Sequence, residues 1–191
     1  MSQPFVPTTL TVSARPGGLP VPEDRPGTAG AVSSFLITDI EGSTRLWEEH
    51  GAAMGQALAL HDHVLRAAVE GCHGTIIKTT GDGLLAIFND PIAAVQSALA
   101  AQRALRDVAW GPIGQLRVRV AVHAGTAESR DGDYFGPALN RSARILAIGH
   151  GGQILLSAVA AALPARDFGS AWAAGRAMSM TDAVALAMEG A

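Results

Sequence analysis

Cysteine is nearly missing from this chain: Cys72 is the only one among 191 residues. No disulfide within the chain is possible, and nothing points to an oxidising compartment. Long hydrophobic runs are missing too, since no stretch approaches the roughly 18 uninterrupted apolar residues of a membrane span. The N-terminus has no basic segment followed by an apolar run, so it does not read as a signal peptide, and the cytoplasm is the expected location. Positive charge is not in excess: a formal net charge of -3 and a pI near 6.0 leave no electrostatic footprint for nucleic acid. Only 5% of the chain is aromatic, but an apolar fraction of 48% is ample for the core of one domain.

What is present falls into three parts. Residues 1–30 hold six of the ten prolines together with Gly17, Gly18, Gly27 and Gly30, and read as an unstructured arm. Residues 31–165 carry the periodic apolar pattern of a folded domain, and residues 166–191 read as a helical or flexible tail. Within the domain, "AVSSFLITDI" is a short buried strand running into Gly42, where Ser43 or Thr44 can cap a helix. That helix extends to Gly71, with Gly51 and Gly55 as places to bend. "GTIIKTT" and "LLAIF" are two strands joined by the turn around Asp82. Asp90 and Pro91 then open a second helix as N-cap and first helical residue. "LRVRVAVHAG" alternates as a strand, "TAESRDGDYFGP" is a loop or hairpin, "ALNRSARILAIG" a helix and "GQILLS" a strand. The order βαββαβ followed by αβ predicts an α+β fold of the ferredoxin-like, split-βαβ kind, with helices on one face of a mainly antiparallel sheet.

Two carboxylates carry the first chemical signal. Asp39 ends the first strand, and Asp82 sits between Gly81 and Gly83 on the hairpin that can lie beside it. With a backbone carbonyl such as that of Ile40, they suit hard divalent cations with oxygen ligands, notably Mg2+. Two such ions about 3.5–4 Å apart can activate an attacking oxygen and steady a leaving phosphate. Gly42, Ser43 and Thr44 present backbone N–H groups at a helix N-terminus, which suits a phosphate. His123 has no second histidine at metal spacing and reads as a strand-end packing residue.

The blocks "FLITDIEGSTRLW", "GTIIKTTGDGLLAIF", "LRVRVAVHAG" and "YFGPALNRSARI" occur in that order over residues 33–163. Together they resemble the catalytic domain of class III nucleotidyl cyclases, the adenylyl and guanylyl cyclases. The resemblance implies the following roles. Asp39 and Asp82 match the two metal-binding aspartates, and Lys78 matches the lysine that contacts the purine. Asp133 falls at the second base-reading position. Asn140 and Arg144 match the pair that orients the ribose and stabilises charge in the transition state. The implied cofactors are two Mg2+ or Mn2+ ions per site. The implied reaction is attack of the ribose 3′-oxygen of ATP on the α-phosphorus, giving 3′,5′-cyclic AMP and pyrophosphate in cyclic nucleotide signalling.

The residues agree with that chemistry. Positioning and charge neutralisation dominate such a displacement. Asn140 and Arg144, at i and i+4, share a helix face, and a guanidinium offers planar donors to phosphoryl oxygens. A lysine only donates and an ionised aspartate only accepts, an order that fits adenine, with its N1 acceptor beside the N6 amine. In the resembled family one domain supplies the metal aspartates and another the base-reading and transition-state residues. A chain holding each set once is therefore expected to form a twofold homodimer with shared sites, without a nucleic-acid or membrane partner. The rival reading is a nucleotide-binding regulatory module with weak or no turnover. A palm-type diguanylate cyclase would require a GG-[DE]-EF-like turn, which the chain lacks. Residues 166–191 depart from the family, whose domains close with a further pair of strands.

Overall fold

The computed structural model describes residues 10–12, 32–130 and 132–157. The tail predicted over 166–191 and most of the arm over 1–30 lie outside the described residues. Within the arm, Leu10–Val12 forms a strand (β1), so these three residues depart from the expectation of an unstructured segment.

The domain proper runs β2 (Val32–Ile40), α1 (Ser43–Gly71), β3 (Thr75–Thr79), β4 (Gly83–Phe88), α2 (Pro91–Asp107), a short 3-10 turn (Gly111–Ile113) and β5 (Val118–Thr126). A small hairpin follows, β6 (Glu128–Arg130) and β7 (Asp133–Phe135), then α3 (Pro137–Ala147) and β8 (Ile154–Ser157). The main sheet has the order β1-β8-β5-β2-β4-β3. Four consecutive strands, β5-β2-β4-β3, are all paired antiparallel, as the split-βαβ reading requires. β8 joins β5 in parallel, and β1 joins β8 in parallel, so the early strand covers the outer side of β8.

Alternation along each strand assigns the faces. Leu36 and Ile40 of β2, Leu84, Ala86 and Phe88 of β4, and Val118, Val120 and Val122 of β5 form one core with α1 and α2. Phe35, Leu85 and Ile87 point the other way, where the shorter α3 covers part of the sheet through Ala138. The two long helices thus share one face. β4 is buried along its whole length because it is covered from both sides, which is why "GLLAIF" is an unbroken apolar run.

Local chemistry accounts for the element ends. Asp90 caps α2, its carboxylate accepting from the Ile92 N–H at 2.9 Å, and Pro91 occupies the first helical position. α1 is kinked at Gly51, whose φ of 42° and ψ of -108° break the helical path. Its cap differs from expectation: Gly42 is the N-cap, and no side chain bonds to the first turn, so Ser43 and Thr44 are helical residues and not caps. Gln102 ties α2 to the sheet, donating to the carbonyls of Val118 at 2.7 Å and Gln153 at 3.3 Å.

Candidate functional site

Strand pairing brings the acidic residues to one end of the sheet. Asp39 stands opposite Gly83 in the β2–β4 register, and one step on the Ile40 N–H donates to the Asp82 carbonyl at 3.2 Å. Asp39, Ile40 and Asp82 are therefore neighbours across adjacent strands. The approach is close enough that Gly83 has no substitute, since a Cβ there would lie 2.3 Å from the Thr38 carbonyl oxygen. The donors gathered are two carboxylates and a carbonyl, all oxygen. That set fits Mg2+ or Mn2+, which bind through one or two carboxylates and complete their shells with phosphate and water. Among the described residues no group of three or more His, Cys, Asp or Glu converges as a self-sufficient metal cage.

Two neighbours of this end were not anticipated from sequence. Arg119, directly opposite Asp39 on β5, forms an ion pair with its carboxylate. The signal available in the sequence was arginine, at 117 and 119, in the strand phase that continues through Ala121 and His123. Glu41, beside the aspartates in "DIEGS", is turned to a structural task, accepting from the Gly151 N–H at 2.9 Å. Next to it, the first turn of α1 follows Gly42 with no side-chain cap, leaving its backbone N–H groups available to an anion.

Lys78 and Asp133, 55 residues apart, meet as an ion pair of 2.6 Å. A β-bulge makes this contact. Ile76 stands opposite Ala86 and Lys78 opposite Leu85, so Ile77 is an inserted residue. In an unbulged strand Lys78 would stand opposite Leu84 and point under α1 and α2. The bulge turns it to the α3 face, where β7 holds Asp133. The carboxylate of Asp133 is engaged at both oxygens, Oδ2 by Lys78 and Oδ1 by the Tyr134 N–H at 2.8 Å. These two bonds, the lysine's first, hold its carboxyl below the usual range. Tyr134 is itself set edge-on to Phe35, ring centroids 5.9 Å apart.

Asn140 and Arg144 lie one turn apart on the exposed side of α3. Among the described residues neither forms a hydrogen bond or ion pair with Asp39 or Asp82. His123 is buried, and its Nδ1 donates to the Ser157 carbonyl at 2.9 Å. Burial pushes its pKa below the ordinary 6.5, with the Ser157 bond opposing. No helix among the described residues is long and apolar enough to cross a membrane.

The family described as the adenylate and guanylate cyclase catalytic domain matches residues 29–173. The chain belongs to that family. An uncharacterised protein of Mycobacterium tuberculosis is 34% identical over 156 residues, covering 81% of this chain and 51% of its own length. The chain thus spans about half the length of the first curated relatives it matches. An adenylate cyclase of Neurospora crassa is 34% identical over 149 residues, covering 65% of this chain and 6% of its own. Among solved structures, a Trypanosoma brucei adenylate cyclase in its monomeric state superposes with a TM-score of 0.68 at 27% identity, covering 71% of this chain and 76% of that one.

Proposed function

We propose that this chain is an adenylate cyclase that converts ATP to 3′,5′-cyclic AMP and pyrophosphate at sites shared between two copies. The observation that carries the reading is the Lys78–Asp133 pair, a donor beside an acceptor held together at 2.6 Å, in a family of nucleotide cyclases. Adenine offers the matching order, N1 accepting and the N6 amine donating, whereas guanine offers the reverse.

Asp39, Asp82 and the Ile40 carbonyl are the residues that would hold two Mg2+ or Mn2+ ions. Bound there, the ions supply a lowered pKa for the ribose 3′-hydroxyl and charge for the departing pyrophosphate. The first turn of α1, at Gly42, Ser43 and Thr44, meets phosphate oxygens through backbone N–H groups. Arg119 balances Asp39 in their absence. In the reaction the 3′-oxygen gives its proton to solvent water and bonds to the α-phosphorus, while the bond from that phosphorus to the bridging oxygen breaks and pyrophosphate leaves with the electron pair. Asn140 orients the ribose, and Arg144 faces the charge that develops on the phosphoryl oxygens. Asn140, Arg144, Lys78 and Asp133 of one copy serve the aspartates of a second, so that a twofold dimer builds two equivalent sites.

The test is incubation with ATP and Mn2+ or Mg2+, followed by chromatography for cyclic AMP and pyrophosphate, with Asp39→Ala as control. Product that disappears in the control supports the cyclase. ATP binding without product would instead identify a nucleotide-binding module. For the shared site, Lys78→Ala and Asp82→Ala chains are mixed; verified heterodimers that stay inactive would rule out two-chain sites.

A further inference from the structure

Between Ile40, the last residue of β2, and Ser43, the first of α1, the chain bends through Glu41 and Gly42. Gly42 permits the bend, its φ of 69° lying in the left-handed region. No side chain bonds to the first turn of α1, so the cap itself does not fix the bend. Glu41 fixes it from the other side, with two bonds. Its backbone N–H donates to the Arg117 carbonyl at 2.9 Å, extending the β2–β5 ladder one residue past the strand. Its carboxylate accepts from the Gly151 N–H at 2.9 Å, 110 residues away in the chain.

The far side of this clamp is tightly seated. A Cβ at Gly151 would lie 2.4 Å from Arg117 Cβ and 2.6 Å from Glu41 Oε2. The loop around Gly151 is itself tied down. The His150 N–H donates to Gln153 Oε1 at 2.8 Å, and the Gly152 N–H to the Val118 carbonyl at 2.9 Å.

The bond to Arg117 also sets a direction. In a planar trans peptide the carbonyl and the N–H point opposite ways. The peptide joining Ile40 to Glu41 aims its N–H at β5, so the Ile40 carbonyl faces the β4 side. The Ile40 N–H points there too, donating to the Asp82 carbonyl at 3.2 Å. A third carboxylate beside Asp39 invites the reading of a cation ligand. Among the described residues, however, no three acidic groups converge, and Glu41 is bonded to the loop before β8 instead.

We propose that Glu41 is a positioning residue for the cation end of the sheet. As an acceptor for the Gly151 N–H, it holds the bend from which the Ile40 carbonyl faces the cations and α1 meets phosphate. The inference rests on the cation reading given above for Asp39, Ile40 and Asp82. Outer bonds of this kind typically change metal affinity by about 10–100-fold.

The experiment uses the full chain and Mn2+ with a non-cyclisable ATP analogue. Mn2+ affinity is read by paramagnetic resonance at a temperature where circular dichroism shows each chain folded, and Tm is measured alongside. Glu41→Gln keeps the acceptor without the charge. Glu41→Asp keeps the charge but falls roughly 1.5 Å short of Gly151, and Glu41→Ala keeps neither. The expected result is Mn2+ affinity within about threefold of the parent for Gln, and a loss of about tenfold or more for Asp and Ala. A Gln chain as weak as Asp, or weaker, overturns the proposal, because charge and not the bond would then matter. Affinity within about threefold of the parent in all three variants, even with a lowered Tm, makes the bond merely structural and also overturns it. Both outcomes leave the cation reading standing, whereas a parent chain that shows no Mn2+ binding overturns both. Should the Ala chain not fold, the Gln–Asp comparison still decides.

Discussion

At the corner between β3 and β7, an anion and a cation of the same chain meet: Asp133 is held by Lys78 and by the Tyr134 N–H. At the end of β2 and β4, two carboxylates stand on neighbouring strands. Arg119 answers Asp39 there, whereas Asp82 has no ion pair among the described residues. The first corner is complete before any ligand arrives. The second carries unbalanced negative charge and gains most from a cation brought from outside. On the function proposed above, the first corner is the base-reading pair and the second is the end that takes the cations. The contrast also orders the expected effects of substitution.

The largest effect is expected at the acidic end. Asp39→Ala or Asp82→Ala, or chelation of divalent ions with EDTA, should lower cyclic AMP formation by at least about 10²–10³-fold with circular dichroism unchanged. A folded Asp82→Ala chain that keeps full activity would remove the contrast between the corners.

Next comes α3. Arg144→Ala should raise the barrier by roughly 3–4 kcal/mol, read as a fall in kcat with KM little changed. Arg144→Lys should recover only part of it, because an ammonium lacks the planar fork of donors.

A smaller, different change is expected at the completed corner. Lys78→Ala or Asp133→Ala should cost about 1–3 kcal/mol, seen mainly as a higher KM for ATP and weaker preference over GTP. An unchanged ATP-to-GTP ratio in both variants would detach this pair from base selection.

The smallest effect concerns stability. Burial lowers the pKa of both His61 and His123 from 6.5. The unfolded chain therefore binds these protons more readily, and stability is lost as pH falls through and below that value. The slope is at most about 1.4 kcal/mol per pH unit for each ring. Urea midpoints measured at about pH 7.5 and about pH 5.5 should differ in that direction, and His123→Asn, which keeps a donor near Nδ1, should reduce the difference.

Much of this was legible in the chain. Capping of α2 by Asp90 and Pro91, the bend at Gly51 and the paired strands around Asp82 follow from rules acting within a few residues. The cap of α1 was misjudged because Ser and Thr are good caps in general, whereas here the left-handed Gly42 turns the chain one residue earlier. β1 was missed because three residues among prolines carry no period of their own; their strand exists through pairing with β8. Arg119 is not legible in the sequence because its importance lies in what stands across from it on the neighbouring strand, Asp39.

By itself the sequence determined the residue types: two aspartates with oxygen to offer, a lysine, an arginine and an asparagine at i and i+4 from each other, and strands whose alternation sorts side chains into two faces. Only the tertiary structure decided which of them meet. The inserted Ile77 is the clearest case. One extra residue in a strand of period two exchanges the faces, and it carries Lys78 from beneath the helices to the side where Asp133, far along the chain, completes its charge.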